Sequence, residues 1–322
     1  MTIKIFSNRY GELNFTGQVL PDVARLLLPG AEYRVATTPD HSFFLFQEFE
    51  EDGIKVRFSH FSSRHKDTLL LLAEPMTTLR IALSHSHQFY LPQLGLLRFE
   101  ERNFNLLHIP HHSAEFFTGE GESYSFADII LPQEYLLSYE DEFSTIAGFH
   151  KLVGRCLPAK LSLYNQVAGI EILRWLDVLL EGRNISRAVA QLIYPALQTI
   201  QRRPARGRSI RLKQEEIEKI YQAADLLKNC TEVFSLLRLA KAVAISPYRL
   251  NRGFRQIYGH TVLEHRKEEK MRLAIRLIED RQYPIKQVAD ILDYWPQNFI
   301  RAFKGRFGYT PGRNPGSNNV CV

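Results

Sequence analysis

The chain has 322 residues, of which 45% are hydrophobic and 24% are charged, a balance typical of a soluble globular protein with room for two domains. No stretch approaches the roughly 18 consecutive apolar residues of a membrane-spanning helix, and the first residues lack the apolar core of a signal peptide. The three cysteines lie far apart and lack the spacing of a metal site, so we expect reduced thiols, a cytoplasmic protein, no membrane partner and no cofactor; they are Cys156, Cys230 and Cys321.

The net charge of +6 is distributed unevenly. Residues 202–322 carry 24 basic and 12 acidic residues, a net charge of +12. Residues 1–201 carry 17 basic and 23 acidic residues, a net charge of −6. A basic C-terminal third attached to an acidic body indicates a polyanionic partner for that third. Charge alone is equally compatible with RNA or anionic lipid.

Residues 1–140 have the pattern of a β-rich domain. Short apolar and aromatic runs alternate with turn-forming clusters such as EDG, PQLG and TGEGE. This spacing predicts a sandwich or barrel. The runs are HSFFLFQEF, IKVRFSHF, TLRIALSH, FNLLHIP and YSFADIIL.

Residues 141–200 change to helical periodicity. Two segments, VAGIEILRWLDVLLEG and ISRAVAQLIYPALQTI, repeat apolar residues every three or four positions. We expect this helical extension to form a dimer interface or to cover the sheet. Residues 201–212 form a polar, basic linker that contains Pro204 and Gly207, and residues 312–322 are predicted to be disordered.

Residues 213–311 contain two helix-turn-helix patterns in tandem. The first is LLRLAKAVAISPYRLNRGFRQIYG and the second is IKQVADILDYWPQNFIRAFKGRFGYTP. In each, an apolar helix with an inward alanine, Ala240 or Ala289, precedes a tight turn and a helix with one apolar and one basic face. A helix at about 262–280, roughly 27 Å long, would join them and could hold the two in neighbouring major grooves.

The second helix of each pattern suits a major groove. In the first, Ser246 is a good N-cap and Pro247 a favoured first residue, while Leu250, Phe254 and Ile257 share one face. In the second, Phe299 and Phe303 face inward. Arginine and amide side chains pair with guanine and adenine edges, whereas Arg255 and Lys304 suit phosphates. The candidate DNA contacts are Tyr248, Arg249, Asn251, Arg252, Arg255, Gln297, Asn298, Arg301 and Lys304.

The C-terminal hundred residues resemble the AraC/XylS family of bacterial transcription regulators. The resemblance is carried by FIRAFKGRFGYTP and by a set of residues in the first unit, namely Ala240, Ser246, Leu250, Phe254 and Gly259. It implies that the positions of Tyr248, Asn251, Arg252 and Arg301 lie on DNA-reading faces, that promoter DNA and RNA polymerase are partners, and that transcription is activated.

The N-terminal half is more weakly similar to a subgroup of this family like the pyochelin-receptor regulator. The similar segments are LRIALSHSHQFYLPQLG, NLLHIPHHSAEFF and YSFADIILPQEYL. This resemblance implies a cupin-like β-barrel that senses a small molecule such as a siderophore. The expected fold class is therefore α+β, with a β-barrel sensor, a helical extension and an all-α domain with two helix-turn-helix units.

Three features depart from the family pattern. Ala244 and Asp293 stand where the family has a turn glycine, so a positive φ there would cost about 1 kcal/mol for alanine and less for aspartate. The second unit is one residue short of that pattern between Asp293 and Phe299, and we expect it to bind more weakly or less specifically. His265 and Arg266 replace a Tyr-Leu pair, which we expect to remove an apolar anchor.

An alternative hypothesis starts from five histidines in the β-rich half. A cupin-type metal-binding protein or enzyme, with a helical domain that binds nucleic acid non-specifically, would use such residues. The glutamate that a catalytic cupin needs after His87 is missing, and no nucleophile, phosphate-loop or dinucleotide motif is present, so we expect no enzyme and no metal. A further alternative is a regulator without an effector that acts through oligomerisation. The histidines are His85, His87, His108, His111 and His112.

Overall fold

The computed structural model describes residues 3–16, 19, 21–92, 94–110, 113–162, 164–201, 210, 212–228, 235–258, 260–279, 283–307 and 310–311. The chain divides into two compact units, Met1–Arg203 and Pro204–Val322. Most of the predicted linker, the predicted disordered tail, His111, His112, Cys230 and Cys321 lie outside the described residues.

The first unit consists of two antiparallel sheets. One sheet has the order β10-β9-β12-β7-β1-β2, and the other has the order β14-β11-β8-β13-β6-β5-β4-β3, with β15 paired to β11. The strands in chain order are β1 (Lys4–Ser7), β2 (Gly11–Leu13), β3 (Phe15–Thr16), β4 (Glu32–Thr37), β5 (Phe43–Glu51), β6 (Ile54–Ser63), β7 (Asp67–Leu72), β8 (Met76–Ser84), β9 (His87–Leu91), β10 (Gly95–Phe99), β11 (Asn103–Ile109), β12 (Ala114–Thr118), β13 (Glu122–Leu131), β14 (Ala159–Lys160) and β15 (Gln166–Val167).

The larger sheet is covered on both faces because its strands alternate two apolar sets. On β13, Tyr124 and Phe126 contribute to a core shared with the smaller sheet, whereas Ala127 and Ile129 contribute to a core shared with helices. The predicted α+β class, with a β-rich domain and a helical domain, is confirmed. The barrel is corrected: the described strands pair into two facing sheets, as in double-sheet jelly rolls, and do not close into one ring.

Helices cover one side of this sandwich. The short helix α1 (Pro21–Ala24) follows β3, and a 3₁₀ segment at Gln133–Tyr139 follows β13. Three longer helices are α2 (Ser144–Val153), α3 (Ile170–Leu180) and α4 (Ile185–Gln201), and their buried residues join the core on the outer face of the larger sheet. Of the two roles expected for the helical extension, covering the sheet is the one observed within the chain, and a dimer interface stays a prediction.

The second unit is all-helical in its described residues. It contains α5 (Gln214–Lys228), α6 (Leu236–Ala242), α7 (Pro247–Tyr258), α8 (Val262–Glu279), α9 (Ile285–Ile291) and α10 (Pro296–Phe307). The predicted connecting helix at 262–280 corresponds to α8. No helix in the described part of the chain is long and apolar enough to cross a membrane.

Candidate functional site

The second unit contains two structural copies of one motif. Helices α6 and α9 have seven residues each, and α7 and α10 have twelve. Each position of the first copy has its counterpart 49 residues later, as Pro247 and Pro296 illustrate. The second unit was described above as one residue short of the family pattern. Within this chain, the two copies have the same spacing between the turn and the helix that follows it. We call α7 and α10 the recognition helices.

Both turns adopt a positive φ at the position where the family pattern has a glycine. Ala244 has a φ of 51° and Asp293 a φ of 55°. Both values lie in the left-handed region, which an alanine side chain disfavours and an aspartate tolerates better. The inward alanines of the preceding helices, Ala240 and Ala289, are buried as predicted. The two turns thus share one geometry despite different residues.

The apolar faces of the recognition helices form the core of the domain. Leu250, Phe254, Phe299 and Phe303 are all buried, as the periodicity predicted. Because 3.6 residues make one turn, their burial directs the opposite face of each helix outward. The first helix begins at Ser246, whose Oγ accepts a hydrogen bond from the Arg249 backbone N–H at 3.3 Å, so the predicted N-cap is formed.

On the first recognition helix, three candidate contact residues lie on the outward face. Tyr248 is 60% exposed, and the guanidinium carbon of Arg252 lies 5.6 Å from its ring centroid. This distance is that of a cation–π contact, which holds the arginine alongside the aromatic ring. Arg255 is exposed one turn further along the helix. The face therefore presents two cationic groups and one aromatic ring to solvent.

Two other candidates on α7 are engaged within the domain. Arg249 donates two hydrogen bonds to the Glu216 carboxylate of α5, one from Nε and one from Nη2 at 2.6 Å. The Glu216 pKa falls to about 2, mainly because of the hydrogen bonds from Arg249. The Oδ1 of Asn251 accepts the backbone N–H of Val262 at 3.2 Å and so caps the start of α8. Both side chains hold α7 against its neighbours, and their contact with DNA stays a prediction.

The second recognition helix presents all its candidates to solvent. Gln297, Asn298, Arg301 and Lys304 are all exposed, whereas Phe299 and Phe303 are buried. Arg301 stands at the position equivalent to Arg252, and Lys304 at the position equivalent to Arg255. Each recognition helix thus displays an arginine and, three residues later, a second basic side chain.

The connecting helix α8 is more firmly packed than expected. We expected His265 to remove an apolar anchor, but its side chain is only 3% exposed. Its ring contacts Phe254 and Tyr258 at centroid distances of 5.3 and 4.6 Å. From the same helix, Lys270 Nζ donates to the carbonyl of Leu292 at 2.6 Å and so fixes the second turn. The imidazole supplies the anchor, and that expectation is corrected.

The first unit contains a cavity of about 60 Å³ between its two sheets. Five phenylalanines and six other apolar residues line it, and most of its polar lining comes from β6, β8 and β13, with Glu74 and Ser113 in addition. Arg80 Nε and Nη2 donate to Asp128 at 2.8 and 2.7 Å, and its guanidinium lies 4.7 and 4.6 Å from the ring centroids of Phe89 and Phe126. The buried hydroxyl of Ser59 also lines the cavity and has no hydrogen-bond partner in the described part of the chain.

Of the histidines in the alternative hypothesis, the structure describes His85, His87 and His108. His87 stacks on Phe99 and Phe116 in an aromatic cluster, where burial, and secondarily the charge of Arg80, lowers its pKa well below the ordinary value. His108 pairs with Thr77 at 2.9 Å. Among the described residues, no group of three histidine, cysteine or acidic side chains is arranged to hold a metal ion.

Several residues that position the site could not be recognised from sequence. Glu216 lies in an ordinary amphipathic helix, and Lys270 lies in a charged run whose pattern suggests solvent exposure. Trp295 lies in the turn before α10, and 78% of its surface is exposed. The one available signal was chemical, since tryptophan is an unusual residue for an N-cap position.

Comparison with known proteins agrees with this geometry. A family model described as a helix-turn-helix domain matches residues 239–314. No curated protein matches the sequence.

Solved structures with some similarity include a DNA-binding transcriptional dual regulator from Escherichia coli K-12, at 25% identity over 29% of this chain and 91% of that chain, with a TM-score of 0.27. Another is the C-terminal domain of AraT, a response regulator from Geobacillus stearothermophilus, at 23% identity over 32% and 84%, with a TM-score of 0.28. ToxT from Vibrio cholerae is 9% identical over 80% and 96%, with a TM-score of 0.30. The family match and the two repeated motifs agree that the second unit contains a helix-turn-helix domain.

Proposed function

We propose that the protein is a sequence-specific transcription regulator that reads promoter DNA with both recognition helices. The observation that carries the proposal is the repeated outward face: Arg252 and Arg301 occupy equivalent positions, as do Arg255 and Lys304. A net charge of +12 over residues 202–322 favours a polyanionic partner for the same part of the chain. Binding to RNA or to anionic lipid would not require two recognition helices with matched outward faces.

The proposed roles follow from side-chain chemistry. Arg252 and Arg301 pair with guanine edges, where a guanidinium donates two hydrogen bonds in the right geometry. Gln297 and Asn298 suit adenine, and Arg255 and Lys304 contact phosphates. Arg249 and Asn251 position the first helix. With α8 about 27 Å long between the motifs, we expect two short base-specific blocks about one helical turn apart.

Selection from a random duplex library with the full-length protein tests this. We expect enrichment of a two-block sequence whose binding resists excess non-specific DNA. Arg252→Ala and Arg301→Ala should each weaken that binding by about 1–3 kcal/mol, roughly 5- to 150-fold, and relax preference in one block only. Arg187→Ala, which removes an exposed arginine from α4, is the matched control. Failure to enrich any sequence would contradict sequence-specific reading.

The regulator is proposed to respond to a small molecule through its first unit. The cavity between the sheets supports this, because it combines apolar walls with the polar groups of Ser59, Arg80 and Asp128. A siderophore response is the expectation from the subgroup. At about 60 Å³ the cavity is far below the roughly 300–1,000 Å³ of a drug-sized ligand site, so a siderophore would require the sheets to separate. Filling the cavity with Ser59→Phe should abolish any ligand-induced rise in melting temperature.

Activation of transcription, contact with RNA polymerase, a homodimer and a cytoplasmic location complete the proposal. Activation comes from the tendency of the family that the sequence resembles. Comparing target transcripts with and without the gene tests the sign of regulation. Lower transcript levels in its absence are expected, and higher levels would identify a repressor.

A further inference from the structure

Trp295 stands at the start of the second recognition helix, immediately before Pro296. Its side chain is 78% exposed, although indole is among the largest apolar groups that a protein can bury. The chain has only two tryptophans, and the other, Trp175 of α3, is half-buried in the first unit. Trp295 carries the backbone carbonyl that accepts the Phe299 N–H at 2.9 Å, so its backbone belongs to the helix start.

The internal repeat shows what Trp295 replaces. Its counterpart 49 residues earlier is Ser246, whose hydroxyl caps α7. An indole has no oxygen with which to cap a backbone N–H, so α10 forgoes the capping bond that α7 has. The isolated domain thus loses a cap and exposes a large apolar surface at one position. Both changes disfavour the free protein, which points to a role for the indole when a partner is bound.

We propose that Trp295 is a DNA-contacting, specificity-determining residue whose indole packs against thymine methyl groups in the major groove. The inference rests on the proposed function. Helix-turn-helix proteins contact base edges with the N-terminal residues of the recognition helix, and Trp295 directly precedes that first turn. Asn298, three residues after Trp295, is exposed, as are Gln297 and Arg301. This basic, amide-rich setting favours a duplex over an apolar protein partner.

Thymine methyl groups are the apolar feature of the major groove, and an aromatic side chain contacts them without hydrogen-bond geometry. The indole would therefore add preference for thymine at the edge of the block that α10 reads. In the first unit Tyr248, which follows Ser246 by two residues, provides the exposed aromatic group instead. Each helix-turn-helix motif then combines an aromatic residue with an arginine.

The test uses the full-length protein and the duplex that it selects from the random library. Trp295→Ser installs the residue found at the equivalent position of the first unit. We expect about a ten-fold loss of affinity for the selected duplex, loss of thymine preference at one or two positions, and an unchanged or higher melting temperature because serine restores a cap. Trp295→Phe should retain most of the affinity, since it keeps an aromatic surface.

Fluorescence gives an independent readout. In a Trp175→Phe background, Trp295 is the only tryptophan, and its emission should change on adding the selected duplex but much less with a scrambled one. Trp175→Phe alone should bind normally and serves as the matched control. Affinity of Trp295→Ser within two-fold of the parent, or emission that ignores the selected duplex, would overturn the role of Trp295 while leaving the regulator intact. If the parent protein selects no duplex, the regulator and the Trp295 contact fall together.

Discussion

Gly253 lies on the buried face of α7, where α5 packs against the first recognition helix. A Cβ added there would overlap Ile220 Cδ1, and it would lie 3.2 Å from Ile220 Cγ1 and 3.5 Å from Leu212 Cδ1. The equivalent residue of the second recognition helix is Ala302. Because glycine costs a helix about 1 kcal/mol relative to alanine, its presence at 253 indicates a packing requirement.

Gly253→Ala should therefore destabilise the second unit. Overpacking typically costs about 1–3 kcal/mol, and the better helix propensity of alanine returns about 1 kcal/mol, which leaves a net loss of roughly 0–2 kcal/mol. Ile220→Val removes the overlapping Cδ1 at a cost of about 1 kcal/mol on its own. In the double variant the overlap is gone and the helix gain remains. The double variant should then lose at least about 1 kcal/mol less than the sum of the single losses.

Hydrogen exchange of the α7 amides in the full-length protein measures the stability of this unit alone. Each 1.4 kcal/mol of lost stability raises the exchange rate about ten-fold. Gly305→Ala is the matched control, because a Cβ at this exposed position of α10 meets nothing within 4 Å and should slow exchange. Slower exchange in Gly253→Ala, or strictly additive losses in the double variant, would refute the tight α5–α7 contact.

Three further changes test the local chemistry. Ala244→Gly should stabilise the second unit by about 0.5–1 kcal/mol in urea unfolding, since glycine adopts the φ of 51° without strain, whereas a loss of stability would contradict a left-handed turn. Glu216 has a folded pKa of about 2, below its ordinary 4.5, so its contribution to stability is complete above about pH 4.5 and is lost as the pH falls toward 2. Glu216→Gln should lose stability at pH 6 but little at pH 2, and an equal loss at both would show that the Arg249 pair does not depend on charge. Lys304→Ala should lower the slope of log affinity against log salt by about 1 without altering sequence preference, and a changed preference would place it on a base.

The helices of the second unit could be predicted because the side-chain pattern that specifies them repeats over only a few residues. Apolar residues three or four apart predicted the buried faces of α7 and α10, and the turn positions of Ala244 and Asp293 were evident from motif spacing. The outward faces followed from the same periodicity, so the positions of Arg252, Arg301 and Lys304 on those faces could be predicted as well.

Contacts between distant residues could not be predicted. Arg249 was a candidate DNA contact, but its guanidinium donates to Glu216, 33 residues earlier. Similarly, nothing local shows that Asn251 caps the next helix or that His265 can replace an apolar anchor among aromatic rings. These outcomes depend on which helix packs nearby.

The sequence by itself determined the α+β class, the two-motif helical domain and the polarity of its recognition helices, because backbone propensity and side-chain periodicity act over a few residues. Only the tertiary structure decided that the strands form two open sheets, that Arg80 and Asp128 meet inside them from 48 residues apart, and which polar side chains face solvent. Strand pairing and buried ion pairs join segments far apart in the chain, and their partners are selected by the packing of the whole domain.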